Sequence, residues 1–596
     1  MNRKNNRKPL LYSLEPLDLS GHRLRATLRI AEPDPKGQIV SLPAWIPGSY
    51  LIRDFSRHIE QIEARAGRQP VSLTKLDNHR WRIAPCQGPL TITTVIYAWD
   101  LSVRGAHLDE THCFFNGTSV FLEAQGQEDH PCRLTLAPPP RPARWNVFTS
   151  MPRDTRANAK KTRDGFGTYV VPNYDALIDH PIEMGNPSVI QFEACGAKHE
   201  MVFTGIIPNL DLKRIAQDVK KICEAQIRFF EPEMARVPFL DSATKYVFMT
   251  MVTGDAYGGL EHRASTALMA SRKDLPTVGQ DKTPEGYQTF LGLVSHEYFH
   301  TWNVKRIKPA AFTPYKLSAE SHTRLLWIFE GFTSYYDDLF LLRSGVIDRE
   351  TYLKTLGKQI ASVWSMPGRH KQSVAESSFD AWTRYYKQDE NATNAIISYY
   401  TKGSLVALAL DLTIRQATHQ QRSLDDVMRL LWERYGRDFY QGHPVGLSEK
   451  GFPQLVREAT GIDLSDEINR WAYGREDLPL KQLLASQNIV LEWKTSNTRP
   501  SLDIRTRKQG EHLVIASATE GGAAHQAGLS AHDILVAIDG VRVDANTNTL
   551  ETILARYQPG QKIEVHVFRR DELRRFELTL ALPPRAECHL VDADKP

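Results

Sequence analysis

His296-Glu297-Tyr298-Phe299-His300 is the stretch on which the rest of the chain hangs. His-Glu-x-x-His on a helix stacks two imidazoles on one face, where each offers a neutral nitrogen to the same tetrahedral metal. Glu297 then sits beside the metal rather than on it, where a general base takes a proton from water. Residues from Tyr287 to Val304 carry apolar side chains at Phe290, Leu291, Leu293, Val294, Phe299 and Trp302 and contain no proline, which predicts a largely buried helix. With 20 histidines in 596 residues, so short a motif also arises by chance, and a zinc held by two histidines needs a third protein ligand and an open fourth position. The candidate is Glu330, in Leu325-Leu326-Trp327-Ile328-Phe329-Glu330-Gly331-Phe332. A carboxylate buried in so apolar a helix costs several kcal/mol unless it is paired, and the local sequence shows no cation.

The composition is that of an ordinary water-soluble chain. Hydrophobic residues make up 41% and charged residues 24%, and 74 basic against 70 acidic side chains give a net charge of +4. That balance argues against disorder and against a nucleic-acid partner. No stretch approaches the ~20 apolar residues that span a bilayer. Met1 to Pro9 is basic, but Leu10 to Ser20 lacks the apolar core of a signal peptide, so a cytoplasmic location is expected ahead of a periplasmic one. The six cysteines are scattered without paired spacing and read as free thiols, none of them a zinc ligand.

At this length several domains are expected, in a multidomain α+β chain. Residues 1–194 alternate with period two, as at Leu24, Ala26, Leu28 and Ile30, and predict an all-β domain with a hairpin at Asn116-Gly117. The cluster Trp45-Ile46-Pro47-Gly48-Ser49-Tyr50 reads as a packed corner of it, with lining a site the alternative. Residues 195–478 turn helical, starting with a helix capped by Asp211, with one clear strand at Tyr246 to Val252 leading into Gly258-Gly259-Leu260-Glu261-His262. Residues 479–500 read as a linker, with Thr495 to Pro500 its natural centre, 501–585 as a small β module and 586–596 as a tail.

His-Glu-x-x-His followed by a glutamate in Trp-x-x-Glu-Gly-Phe resembles the gluzincin metallopeptidases, and among them the glycyl aminopeptidase family. Gly258-Gly259-Leu260-Glu261-His262 resembles the Gly-x-Met-Glu-Asn strand of related aminopeptidases, and Tyr400-Thr401-Lys402-Gly403 their Tyr-x-Lys-Gly. Gly521-Gly522-Ala523-Ala524, Ala527-Gly528-Leu529 and Asp533-Ile534-Leu535 resemble a PDZ domain. His532 and Leu502-Asp503-Ile504 depart from that pattern, which makes the PDZ fold more secure than peptide binding. His300 and Glu330 are thirty residues apart, farther than in the better-known gluzincins, and the intervening Lys305 to Lys316 reads as a loop. Its basic residues Lys305, Arg306 and Lys308 read as a solvated face rather than as a substrate-carboxylate site.

The resemblance implies a thermolysin-like, mostly helical catalytic domain between the β domain and the PDZ-like module. It also implies Zn2+ on His296, His300 and Glu330, Glu297 as base, and Tyr400 as oxyanion donor with Tyr399 the alternative. Glu261 would pair with a substrate's free ammonium, and Gly258 and Gly259 would let the substrate backbone approach. Peptides with a free N-terminus and a small first residue, Gly or Ala, are the implied partners. Two other readings stay open: a zinc endopeptidase with PDZ-assisted capture, and a catalytically inactive PDZ scaffold. Asp337 and Asp338 are candidates to orient the ligand histidines.

Overall fold

Arg23–Ile30 shows why the N-terminal third is all β. Leu24, Ala26, Leu28 and Ile30 are buried while the intervening Arg23, Arg25 and Arg29 are not, so one face of the strand meets a core and the other meets water. The computed structural model describes residues 7–593 except 142, 157–158, 281–282, 443, 495–498 and 583–586. It divides into two units, 1–321 with 336–347 and 428–448, and 322–335 with 348–427 and 449–596.

In the first unit, Arg23–Ile30 lies inside a seven-stranded sheet in which Leu10–Asp18 pairs antiparallel with it and parallel with Cys132–Leu136. A second, four-stranded sheet contains the hairpin β1 (Ala106–Leu108) and β2 (Cys113–Phe115). The expected Asn-Gly hairpin is absent from its place: Asn116 is extended, its amide donates to Val103 O at 2.9 Å, and Gly117–Ser119 forms a short 3-10 turn. That buried side-chain bond holds Asn116 out of the left-handed conformation a two-residue hairpin requires.

A five-stranded sheet follows, in the order β3 (Ser188–Ala194), β4 (Ala197–Thr204), β5 (Lys245–Thr253), β7 (Ser265–Ser271) and β6 (Tyr257–Glu261). β3 was read from sequence as part of the β domain; its antiparallel pairing with β4 places it in this sheet. Val202, Val247, Met249, Leu260 and Ala267 of the sheet join the hydrophobic core of the β domain. Helix α1 (Leu212–Phe230) packs on β3, with Ile215, Val219, Ile222 and Cys223 buried and the Asp211 carboxylate accepting from Arg214 N at 3.0 Å. Such a cap contributes about 1 kcal/mol. Helix α2 (Glu285–Phe299) carries the His-Glu-x-x-His motif and packs against α1, β6 and β7.

The second unit holds α3 (Leu326–Phe329), the start of α4 (Gly331–Arg343), α5 (Arg349–Trp364) and α6 (Thr401–Ala417). Gly331 and Gly403 set the closeness of the crossing on α6: a Cβ on Gly331 would lie 2.7 Å from Gly403 Cα. The C-terminal β module has its own core around Ile515, Leu535, Ile538 and Val565. Its strand order is Ile504–Gln509, His512–Ala518, Ile534–Ile538, Lys562–Arg569, Glu572–Thr579. It is tied to the helices of its unit through Asn394, which donates to Ala518 O at 2.9 Å and accepts from Glu520 N at 2.9 Å, and through an ion pair between Lys371 and Glu520.

The linker and the tail differ from expectation. Residues 495–498 of the predicted linker lie outside the described residues, but Leu480–Ala485 is helical and Ile489–Lys494 pairs antiparallel with Glu587–Asp592. That ribbon lies on α5, where a Cβ on Gly357 would come within 2.4 Å of Cys588 O and Arg349 pairs with Asp592 at 2.7 Å. The two strands are almost a hundred residues apart in sequence, so no local signal joins them.

Candidate active site

Helix α2 is apolar nearly all round, and buried residues lie on every side of it, as expected of a helix inside a domain rather than on its surface. It ends at Phe299, earlier than the predicted Val304, with His300 as its C-cap. The chain then folds back through Asn303 and Val304. Val304 has φ 101°, an outlier for a β-branched residue and worth about 1–3 kcal/mol of strain. The surrounding turn is closed by Val304 N donating to Ile307 O at 2.9 Å and Lys305 N to His300 O at 3.1 Å.

That turn presents a carbonyl to the motif: His300 Nδ1 donates to Asn303 O at 2.8 Å, and His296 Nδ1 donates to Asp337 Oδ2 at 2.9 Å. Asp337 is one of the two aspartates singled out from sequence, and Asn303 was not foreseen. With both Nδ1 atoms engaged, Nε2 is the atom of each imidazole that would ligate a metal, which is how metal-bound histidines are usually held. The rings lie 4.7 Å apart at 85°. Ser295 fixes the register, donating to Asp337 O at 2.8 Å and accepting from Gln226 at 2.9 Å. This donor set fits zinc.

Two carboxylates share the space beside His300. Glu261, Glu297 and His300 each offer a ligand atom within 4.8 Å of the others, and Glu261 is 3% and Glu297 5% exposed. Glycines make the room. A Cβ on Gly259 would lie 2.0 Å from Glu297 Oε1, and one on Gly48, at φ 93°, would lie 2.4 Å from Glu261 Oε2. The Trp45–Tyr50 corner therefore belongs to the site as well as to the β domain. A glycine after Pro47 was the available signal, since such a turn takes positive φ. Gly258 faces open space. Among the described residues Glu261 Oε1 is buried with no hydrogen-bond partner.

The basic loop is not a solvated face. Lys305, Arg306 and Lys308 are each 2% exposed or less. Lys305 pairs with Asp179 at 2.7 Å and Arg306 with Asp241 at 2.8 Å, while the Lys308 ammonium lies 4.3 Å from the Tyr315 ring centre. Burial would raise the Asp179 carboxyl, but Lys305, Arg263 and His262 outweigh it and hold the group well below the usual carboxylate range. Burial pushes Lys308 well below the usual lysine range. These charges brace the turn that carries Asn303.

In the second unit Glu330 is 2% exposed and caps the C-terminus of α3, its N–H donating to Leu326 O at 2.7 Å. Tyr400 opens α6 half-buried, its hydroxyl 3.4 Å from that of Tyr386, whereas the neighbouring Tyr399 is fully buried. Burial pushes Tyr399 well above the usual tyrosine range. Lys402 is buried too, which lowers its ammonium to about 8.

Two imidazoles with fixed tautomers, a glutamate between them and a five-stranded sheet alongside define a metallopeptidase. The comparisons with known proteins agree. Residues 11–186 match the Peptidase M61 N-terminal domain, 289–406 the M61 glycyl aminopeptidase and 500–580 a PDZ domain. The crystal structure of an aminopeptidase N family protein from Idiomarina loihiensis is 40% identical, covers 98% of either chain and superposes with a TM-score of 0.92. An M1 zinc metallopeptidase from Deinococcus radiodurans is 14% identical over 80% of this chain and 96% of its own, with a TM-score of 0.48. A search of curated proteins gave no match. The chain belongs to the M61 glycyl aminopeptidase family and is a metallo-aminopeptidase.

Proposed function

We propose that the protein is a zinc aminopeptidase that removes small N-terminal residues, Gly or Ala, from peptides with a free amino terminus. The observation that carries this reading is Glu261 Oε1, buried beside Glu297 and His300 and without a hydrogen-bond partner among the described residues. An ionised carboxylate so placed costs several kcal/mol unless a cation joins it, and a substrate's α-ammonium is such a cation. Pairing there registers the first peptide bond against Glu297. β6 is an edge strand of its sheet, and with open space at Gly258 it suits a substrate backbone added alongside.

His296 and His300 would hold the metal through Nε2, with Glu330 as third ligand. Zinc in that place supplies Lewis acidity to a water and to the scissile carbonyl. Glu297 takes the proton of the attacking water and returns it to the leaving amine. Tyr400 donates its hydroxyl to the developing oxyanion; its partial exposure supports it over the buried Tyr399. The preference for Gly and Ala rests on the family.

Gly-, Ala- and Leu-anilides with an N-acetylated control, each with and without chelator, test the proposal. Chelator-sensitive release from the Gly and Ala substrates alone is expected, and Glu261→Ala lowers kcat/KM about thirtyfold or more, the effect of removing one partner of a buried charge pair. Equal cleavage of the acetylated control would replace this reading with an endopeptidase.

A further inference from the structure

We propose a second, structural divalent-metal site, suited to zinc, in the β domain, formed by His107, Asp109 and His112. The three residues sit on and between β1 and β2, in a His-x-Asp-x-x-His pattern none of whose members belongs to the active site. Strand geometry brings them together. His107 and Asp109, two apart, share a face, and His112 lies across the hairpin from Asp109, whose N–H donates to His112 O at 3.0 Å. Each offers a ligand atom within 4.8 Å of the others.

The details are those of a ligand set. His107 Nε2 and Asp109 Oδ2 are 3.3 Å apart, and two ligands of a tetrahedral zinc, each about 2.0–2.1 Å from the metal, lie roughly 3.3 Å from one another. His112 Nδ1 is engaged by Glu183 Oε1 at 3.2 Å, and that carboxylate is itself held by Thr204 Oγ1 at 3.0 Å. A histidine fixed this way through Nδ1 turns its Nε2 to a metal. Asp109 Oδ1 is taken up by Thr111 N, Thr111 Oγ1 and His112 N at 2.7, 2.6 and 3.0 Å, so Oδ2 is the oxygen that faces His107 Nε2. His107 and His112 are each 4% exposed, and their rings lie 5.0 Å apart.

Two nitrogens and a carboxylate oxygen are a donor set for zinc rather than for calcium or magnesium, which take oxygen ligands. Glu183, the glutamate that touches this set, is engaged by His112 and Thr204 rather than left to act as a base as Glu297 is beside His296, so the role of the set is to fasten the hairpin.

The test counts metal in the full-length protein. Chelator-stripped protein is dialysed against micromolar Zn2+ and analysed by elemental mass spectrometry. Two equivalents are expected in the wild type, and one in Asp109→Asn, with anilide hydrolysis within twofold of the wild type. The catalytic-site variant His296→Gln/His300→Gln is expected to keep one equivalent, and combining it with Asp109→Asn leaves none. Glu183→Gln, which retains a hydrogen-bond acceptor for His112, weakens the second site about 10–100-fold without emptying the first. A wild type that binds a single equivalent, lost entirely in His296→Gln/His300→Gln, overturns the proposal. Unchanged metal content in Asp109→Asn overturns it too. These counts do not depend on which peptides are cleaved.

Discussion

Two histidine pairs, one on a helix and one on a hairpin, meet the same geometric demand with different periods. His296 and His300 come together because four residues make about one helical turn, and His107 and His112 because two strands pair across a turn. In both, one imidazole donates Nδ1–H to a carboxylate from elsewhere in the chain, Asp337 in the first case and Glu183 in the second. The difference lies in the surroundings. Beside the helix pair stand Glu297, a Glu261 oxygen with no hydrogen-bond partner among the described residues, and open space at Gly258; beside the hairpin pair the two carboxylates are engaged, Asp109 by Thr111 and Glu183 by Thr204. An open side, a base and an unsatisfied charge separate a site that turns over substrate from one that holds a loop.

The sharpest way to break that contrast is Glu297→Gln. It removes the base while leaving the imidazoles in place, and is expected to lower kcat by roughly 10²–10⁴-fold with metal content unchanged. Loss of metal instead would assign Glu297 a ligand role. Gly259→Ala comes next. Its methyl would overlap Glu297 Oε1, so the carboxylate must move, and an ångström of displacement at a catalytic group is worth about 10²-fold in rate. Thermal unfolding of the variant at the wild-type temperature would localise the loss to the site. Asp337→Asn has the smallest expected effect, about 10–100-fold in metal affinity, read by competition with a chelator. If Asp337→Asn and Glu183→Gln weaken their respective sites by similar factors, the two histidine pairs share one supporting principle, and unequal factors would show that burial, not the carboxylate, sets affinity.

Much of the fold was legible because it is local. Alternation at Leu24, Ala26, Leu28 and Ile30 gave a strand, the stripe of α1 and its Asp211 cap gave a helix, and both are observed. Readings failed where a distant partner decided. The basic Lys305–Lys308 loop reads as solvated, yet Asp179 and Asp241, more than sixty residues away, bury two of its charges. Asn116-Gly117 has a hairpin's residues, yet the Val103 carbonyl holds Asn116 extended. The predicted tail, Glu587–Asp592, finds its partner strand inside the predicted linker.

For the chemistry the same division holds. Sequence by itself determined that His296 and His300 share a helix face with Glu297 between them, since helical period is a property of consecutive residues. It also marked Glu330 as a carboxylate in apolar surroundings, and Glu261 through the resemblance of Gly258-Gly259-Leu260-Glu261-His262 to an aminopeptidase strand. Only the tertiary structure decided that Gly48 and Gly259 open space for two carboxylates beside His300, that Asp337 and Asn303 fix the imidazole tautomers, and that Glu261 Oε1 has no partner among the described residues. The last three depend on groups brought together from separate strands, turns and helices, and burial and hydrogen-bond satisfaction exist only once those elements have packed.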